Sequence, residues 1–146
     1  MQIISYIMLA FLVGVIISIY LPMNSSVSRY LGSPITANIS FFMVAFIASI
    51  FIFAFFGDYK TVFNIKKVPP YLYLTGLGAA LMVLGTTFLI PKIGARKFFL
   101  LVMAGQILMA MIISHFGVLE SPKDTITFKK IIGAILVVMG AVISLK

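Results

Sequence analysis

Few side chains in this sequence could do chemistry, and most of them interrupt long apolar runs. Gln106, Asn38 and His115 stand out. An amide offers both a donor and an acceptor. Inside hydrocarbon it is costly unless it meets a partner or a wet cavity. Gln106, near the middle of its run, therefore fits a solute contact in a cavity. It fits equally an interhelical hydrogen bond of about 0.6–2 kcal/mol. Asn38 is followed by Ser40, and Phe42 shares its helical face at i+4. Polar groups with an aromatic wall suit an organic solute; a helix-start amide satisfied by nearby backbone is the competing reading. Tyr73 is the tyrosine that could join such a cavity, whereas Tyr20, Tyr30 and Tyr71 near run ends suit an aromatic belt. His115 is the single histidine. Its residue type titrates near neutral pH, so it could gate or couple transport. At a helix end it could equally cap the helix or complement its dipole.

Other chemistries are missing. No Asp, Glu, Lys or Arg lies at the centre of a run, and Gly14 occupies the middle of the first. A carboxylate-coupled cation–proton exchange thus has no evident acid. One His, no Cys and no nearby acid make no metal site. Gly76-Leu77-Gly78 precedes no Lys-Ser/Thr and is no nucleotide loop. No nucleophile–base pair is recognisable, so neither an enzyme nor a cofactor is expected.

These residues must be held by elements built for a membrane. The chain has 62% hydrophobic and 10% charged residues, against about 45–50% and about 25% in soluble domains. Too few charges remain to cover a soluble core. Five apolar runs occupy residues 3–21, 35–56, 71–90, 98–116 and 126–145. Each approaches the ~20 residues that carry a helix across ~30 Å of hydrocarbon. Lys129 and Lys130 near the start of the fifth run can snorkel to headgroups. The runs do not alternate as barrel strands do. Continuous apolar segments in lipid must therefore be helices, which pair their own backbone. Breakers fall between the runs: Pro22, Asn24, Ser25 and Ser26; Gly32, Ser33 and Pro34; Gly57 and Asp58; Pro69 and Pro70; Pro91 and Gly94; Gly117, Ser121 and Pro122. The first run lacks a basic leader and a small-x-small cleavage site, and reads as a retained span. The expected fold is all-α: an integral membrane five-helix bundle, one transmembrane domain over 1–146, with the termini on opposite sides.

Formal net charge is +8, but the cations are scattered through the gaps, which suits headgroups and not nucleic acid. With five spans, Lys60, Lys66, Lys67, Lys123, Lys129 and Lys130 fall on one side. Arg29, Lys92, Arg96, Lys97 and Lys146 fall on the other. Six against five gives the positive-inside rule almost nothing to act on. Either the chain is weakly N-in, or it inserts both ways and pairs as an antiparallel, dual-topology homodimer. Two inverted five-helix copies would supply the ten helices that transporters often build from inverted repeats. Small residues mark close-packing faces: Ala10, Gly14 and Ser18 in the first helix, Gly76 and Ala80 in the third, Gly133 and Gly140 in the fifth. They serve packing within the chain or a dimer seam.

Several short motifs run in a fixed order: Leu31-Gly32-Ser33-Pro34, Ala37-Asn38-Ile39-Ser40-Phe41, Val68-Pro69-Pro70-Tyr71 and Gly76-Leu77-Gly78-Ala79. They continue with Pro91-Lys92-Ile93-Gly94-Ala95, Ala104-Gly105-Gln106, His115-Phe116-Gly117 and Lys130-Ile131-Ile132-Gly133. Together they resemble the YdcZ-type family, a small five-helix branch of the drug/metabolite transporter superfamily, over nearly the whole chain. The chain departs from the family's usual residues at Tyr71 (often Trp), Ser114 (usually an acid) and Lys130 (Arg). The resemblance implies antiparallel dimers, small-molecule export, and a cavity lined by helices 1–4 with the fifth peripheral. The expected protein is a bacterial inner-membrane, multi-pass exporter protomer acting as an inverted dimer by alternating access. Its partners would be lipid, a second copy and an unidentified solute. A dual-topology ion channel drawing on Thr86 and Thr87, or a non-transporting accessory subunit, are the alternatives.

Overall fold

The structure is a computed structural model and describes residues 2–145; Lys146, counted above among the cations, lies outside them. The order is α1 (Gln2–Leu31), α2 (Pro34–Phe56), 3-10 segments at Tyr59–Lys67 and Pro70–Tyr73, α3 (Leu74–Ile93), α4 (Ala95–Phe116), a short 3-10 turn at Val118–Glu120, and α5 (Phe128–Ile143). Among the described residues there is no strand. The chain falls into two compact units, Met1–Lys92 and Ile93–Lys146.

Among the described residues, four helices are long and apolar enough to cross a membrane: Gln2–Leu31, Pro34–Phe56, Pro70–Ile93 and Ala95–Phe116. α5 has 16 residues, which rise about 24 Å and fall short of ~30 Å of hydrocarbon. Aliphatic and aromatic side chains are exposed along all five helices. The buried apolar residues, such as Leu21, Ala37, Val83 and Ile90, are few. In water such a surface would associate at once; in lipid tails it is ordinary solvation.

The first unit holds the largest departure from the sequence reading. α1 does not stop before Pro22 but runs through it to Leu31, 30 residues in all. Proline cannot donate to the carbonyl four residues back, yet membrane helices tolerate it when other groups re-satisfy the backbone. The residues read as loop formers are helical here and return their hydroxyls to backbone carbonyls one turn further on, not to Ser18 O, the carbonyl that Pro22 leaves without a donor. Ser26 Oγ donates back to the Pro22 carbonyl (3.3 Å) and Ser28 Oγ to Ser25 O (2.8 Å). Asn24, Ser25 and Ser28 are buried. α2 then begins at a proline in its first turn, capped by Ser33, whose hydroxyl accepts from Thr36 N–H. α3 likewise continues past its proline, Pro91, to Ile93.

In the second unit, α4 starts directly after Gly94, at φ +82°, and ends on Gly117 at φ +62°, a left-handed cap. α5 is shorter at both ends than residues 126–145, because Ile126 belongs to the connection.

Candidate functional site

A cleft of about 510 Å³ lies between α1 and α2 in the first unit. Its wall is aromatic, with the Tyr20 and Phe41 rings stacked at 5.7 Å; Phe42, which meets Phe41 edge-on at 5.3 Å, does not line the cleft. Asn24 and Ser40 are its polar lining residues, beside Met23, Val44 and Ala48. Ser40 Oγ donates to Ala37 O at 2.9 Å. Asn38 sits one turn before Phe41 and Phe42 on the same face of α2. It does not line the cleft; its Oδ1 is buried and has no hydrogen-bond partner among the described residues. A buried acceptor left unpaired costs about 1–3 kcal/mol.

Behind the cleft is a buried polar knot that the sequence reading missed. Asn24 Nδ2 donates to Thr87 Oγ1 at 2.8 Å, and Thr87 Oγ1 donates on to Val83 O at 2.8 Å. Ser25 Oγ donates to the Thr87 carbonyl at 3.3 Å. That carbonyl would normally accept from residue 91, but residue 91 is proline and has no N–H. Ser25 on α1 thus supplies the donor that α3 lacks. Asn24 and Thr87 are respectively 6% and 1% exposed, so water does not compete for these bonds. One sequence signal pointed here: Pro91 orphans the carbonyl of a residue that itself carries a hydroxyl.

The remaining expected site residues lie elsewhere. Tyr73 donates its hydroxyl to Ile65 O at 2.7 Å, tying the start of α3 to the preceding segment. Gln106 is exposed on α4 and makes no hydrogen bond among the described residues. His115 Nδ1 accepts from Ile126 N–H at 3.2 Å, while Asp124 N–H donates to Ser114 O at 2.9 Å. These bonds fold the 117–127 connection back on the end of α4. Lys130 pairs with Asp124 and donates to Thr125 O. A second groove of about 550 Å³, between α4 and α5, is lined by apolar residues such as Leu108, Met111 and Ile135.

The glycines of the small-residue faces meet no other element among the described residues. A Cβ at Gly14, Gly76, Gly133 or Gly140 would find no atom within 4 Å. Ala10 and Ser18 are exposed and Ala80 is half-buried. Ser18 Oγ returns to Gly14 O at 2.9 Å. No group of three or more His, Cys, Asp or Glu capable of holding a metal occurs among the described residues.

Four spanning helices, a lipid-facing surface and an apolar cleft with polar atoms at its margin define a multi-pass helical membrane protein. Residues 5–143 match the family described as "putative inner membrane exporter, YdcZ". The chain belongs to that family, and in general terms it is a membrane transporter. No curated protein and no solved structure matches it.

Proposed function

We propose that the chain is a protomer of a small-molecule exporter of the bacterial inner membrane, and that its solute enters the α1–α2 cleft. The observation that carries this reading is the buried, unpaired Oδ1 of Asn38, one helical turn from Phe41 of the cleft wall and just outside its lining. An acceptor kept unsatisfied at such a cost is accounted for by a donor that comes and goes with the solute. Ser40 and Phe42 belong to the same contact surface. Gln106, in the second unit, is a separate solute contact offering an exposed amide with no partner among the described residues, and Tyr73 offers its ring, its hydroxyl being engaged. With no acid in the cleft lining, the solute is held by aromatic stacking and single hydrogen bonds.

Transport in this reading is by alternating access in an inverted homodimer. The support is the near-equal division of loop cations and the open glycine faces of α1, α3 and α5. In this reading α5, short by itself, spans with the help of its flanking residues, Lys129 and Lys130 snorkelling at its start, and the termini lie on opposite sides. His115 holds the connection to α5 against the end of α4 through its bond from Ile126 N–H, and is proposed as a gating residue on that ground. The transporter is favoured over a channel because Thr86 and Thr87, on which a hydroxyl-lined pore would draw, are buried and bonded to helix carbonyls.

Thermal unfolding of the detergent-purified protein against organic cations, amines, sugars and carboxylates tests the site, because a solute binding the folded form raises the midpoint. The N38L variant should lose the shift given by the best solute. Without solute its midpoint should stay level or rise by the equivalent of about 1 kcal/mol, since an unpaired acceptor has been removed. Full retention of the shift in N38L would remove Asn38 from the site.

A further inference from the structure

The segment between α2 and α3 is built to rest on a charged lipid surface. Tyr59–Lys67 forms a nine-residue 3-10 helix. With three residues per turn, side chains three apart stack in line. Tyr59, Val62 and Ile65 therefore make one edge, Thr61, Asn64 and Lys67 a second, and Lys60, Phe63 and Lys66 the third. The first edge is apolar and the second polar. The third sets an aromatic ring between two lysines. Phe63 is 83% exposed, and every residue of the segment is exposed.

The exposure does not come from a loose loop. The segment is fixed at both ends by tyrosine hydroxyls. Tyr59 donates to Ala54 O in the last turn of α2 at 3.0 Å, and its ring meets Phe53 edge-on at 5.3 Å. Tyr73, in the first turn of the third span, donates to Ile65 O at 2.7 Å. Asp58, the one acid here, is used as the cap: its side chain accepts from Lys60 N–H at 3.0 Å. Three ammonium groups remain with no anionic partner among the described residues. The segment joins the end of one apolar helix, Phe56, to the start of the next span, Pro70. It is therefore confined to the edge of the hydrocarbon, where an apolar side can sink and lysines can reach outward.

We propose that Tyr59–Lys67 is an interfacial anchor that binds the anionic phospholipid headgroups of the surrounding leaflet, with Lys60, Lys66 and Lys67 as the headgroup contacts and Phe63 inserted between acyl chains. The occupant is lipid because an exposed phenylalanine between cations, held at the membrane boundary, matches a negatively charged apolar surface in both charge and polarity. A neutral surface would leave the lysines unanswered. A soluble acidic partner would leave Val62 and Phe63 facing headgroups. The inference is independent of the solute site and of the inverted dimer.

The chain has no tryptophan, so F63W places a single indole reporter on the segment at an exposed position. The purified protein is placed in vesicles of phosphatidylcholine alone or mixed with phosphatidylglycerol, and quenching is compared for bromine-labelled chains on each lipid at equal mole fraction. Three lysines at the surface set a ceiling on the order of a hundredfold preference for the anionic lipid at low salt. We expect labelled phosphatidylglycerol to quench several-fold more strongly, and the excess to fall as salt screens the charges. Adding K60Q, K66Q and K67Q to F63W should bring the two lipids to equal quenching. Backbone hydrogen exchange of residues 59–67 in the unaltered chain should slow when phosphatidylglycerol is included, which keeps the test clear of any effect of the indole. Equal quenching by both lipids in F63W, absence of quenching by either, or a preference surviving the loss of all three lysines would each overturn the proposal.

Discussion

The polar knot behind the cleft makes a quantitative prediction. Asn24 Nδ2 and Thr87 Oγ1 lie 2.8 Å apart between groups 63 residues distant in the chain, and both are buried. T87V removes the hydroxyl at nearly constant shape. Val83 O, which loses the Thr87 hydroxyl, still has the helix N–H four residues on, so little is lost within α3. The Asn24 amide, however, is left without its acceptor. Burying it unpaired would cost about 1–3 kcal/mol. Against that, unfolded helices in a membrane or micelle find other partners, and double-mutant cycles on intramembrane hydrogen bonds average about 0.6 kcal/mol with maxima near 1.7. A short, nearly water-free bond belongs in the upper half of that range. The expected coupling between N24A and T87V is therefore about 1–1.5 kcal/mol. T87V alone should cost about 1–2 kcal/mol, and in the N24A background only a few tenths. Reversible denaturant unfolding in detergent, followed by tyrosine near-ultraviolet circular dichroism, provides the four free energies. If the two costs add to within about 0.3 kcal/mol, the sites are independent and the knot does not hold α1 to α3.

The Ser25–Pro91 relation predicts compensation: S25A should cost about 0.5–1 kcal/mol, the low end because 3.3 Å is long for a hydroxyl donor. In a P91A background, where residue 91 regains an N–H for the Thr87 carbonyl, S25A should cost close to nothing in the same unfolding assay, and an equal cost in both backgrounds would refute the account. Orientation can be read from the cysteine-free chain by placing N64C in the exposed α2–α3 connection and labelling with a membrane-impermeant maleimide. Dual insertion predicts that about half the sites react from each side in intact inverted and right-side-out vesicles, and labelling from one side only would remove the inverted dimer.

The spans were legible because lipid imposes one simple rule on length and polarity. α2 and α4 begin and end within three residues of the predicted 35–56 and 98–116. The end of α1 was not. Pro22, Asn24, Ser25 and Ser26 form a turn composition in water, and their helical role depends on Thr87, some 60 residues away. No local rule sees that partner. The fifth run was overextended for a related reason: Ile126 continues the apolar pattern, but its N–H is committed to His115. Of the expected site, Asn38 and Ser40 were readable as polar interruptions of an apolar run. Tyr20 and Phe41 were not, because an aromatic ring in a membrane helix looks the same whether it faces lipid, a neighbour or a solute.

That ambiguity has a physical origin. In a soluble protein an exposed apolar patch marks an interface, because water penalises it. In lipid the penalty vanishes, so the exposed Ile, Leu and Phe of α1 and α2 say nothing about what covers them. Only polar atoms retain a strong preference in that medium. The informative difference within the first unit is thus between two amides, Asn24 about two turns before the end of α1 and Asn38 about one turn into α2. Asn24 has a partner 63 residues away and ties α1 to α3. Asn38 has none for its oxygen. If both were structural, both should be satisfied within the fold. The contrast sets a satisfied amide that ties α1 to α3 against a buried acceptor on α2 that the fold leaves unpaired. Substituting the two amides separates these roles. Loss of Asn24, which ties α1 to α3 and also lines the cleft, should lower stability together with solute binding, whereas loss of Asn38 should weaken binding without lowering stability.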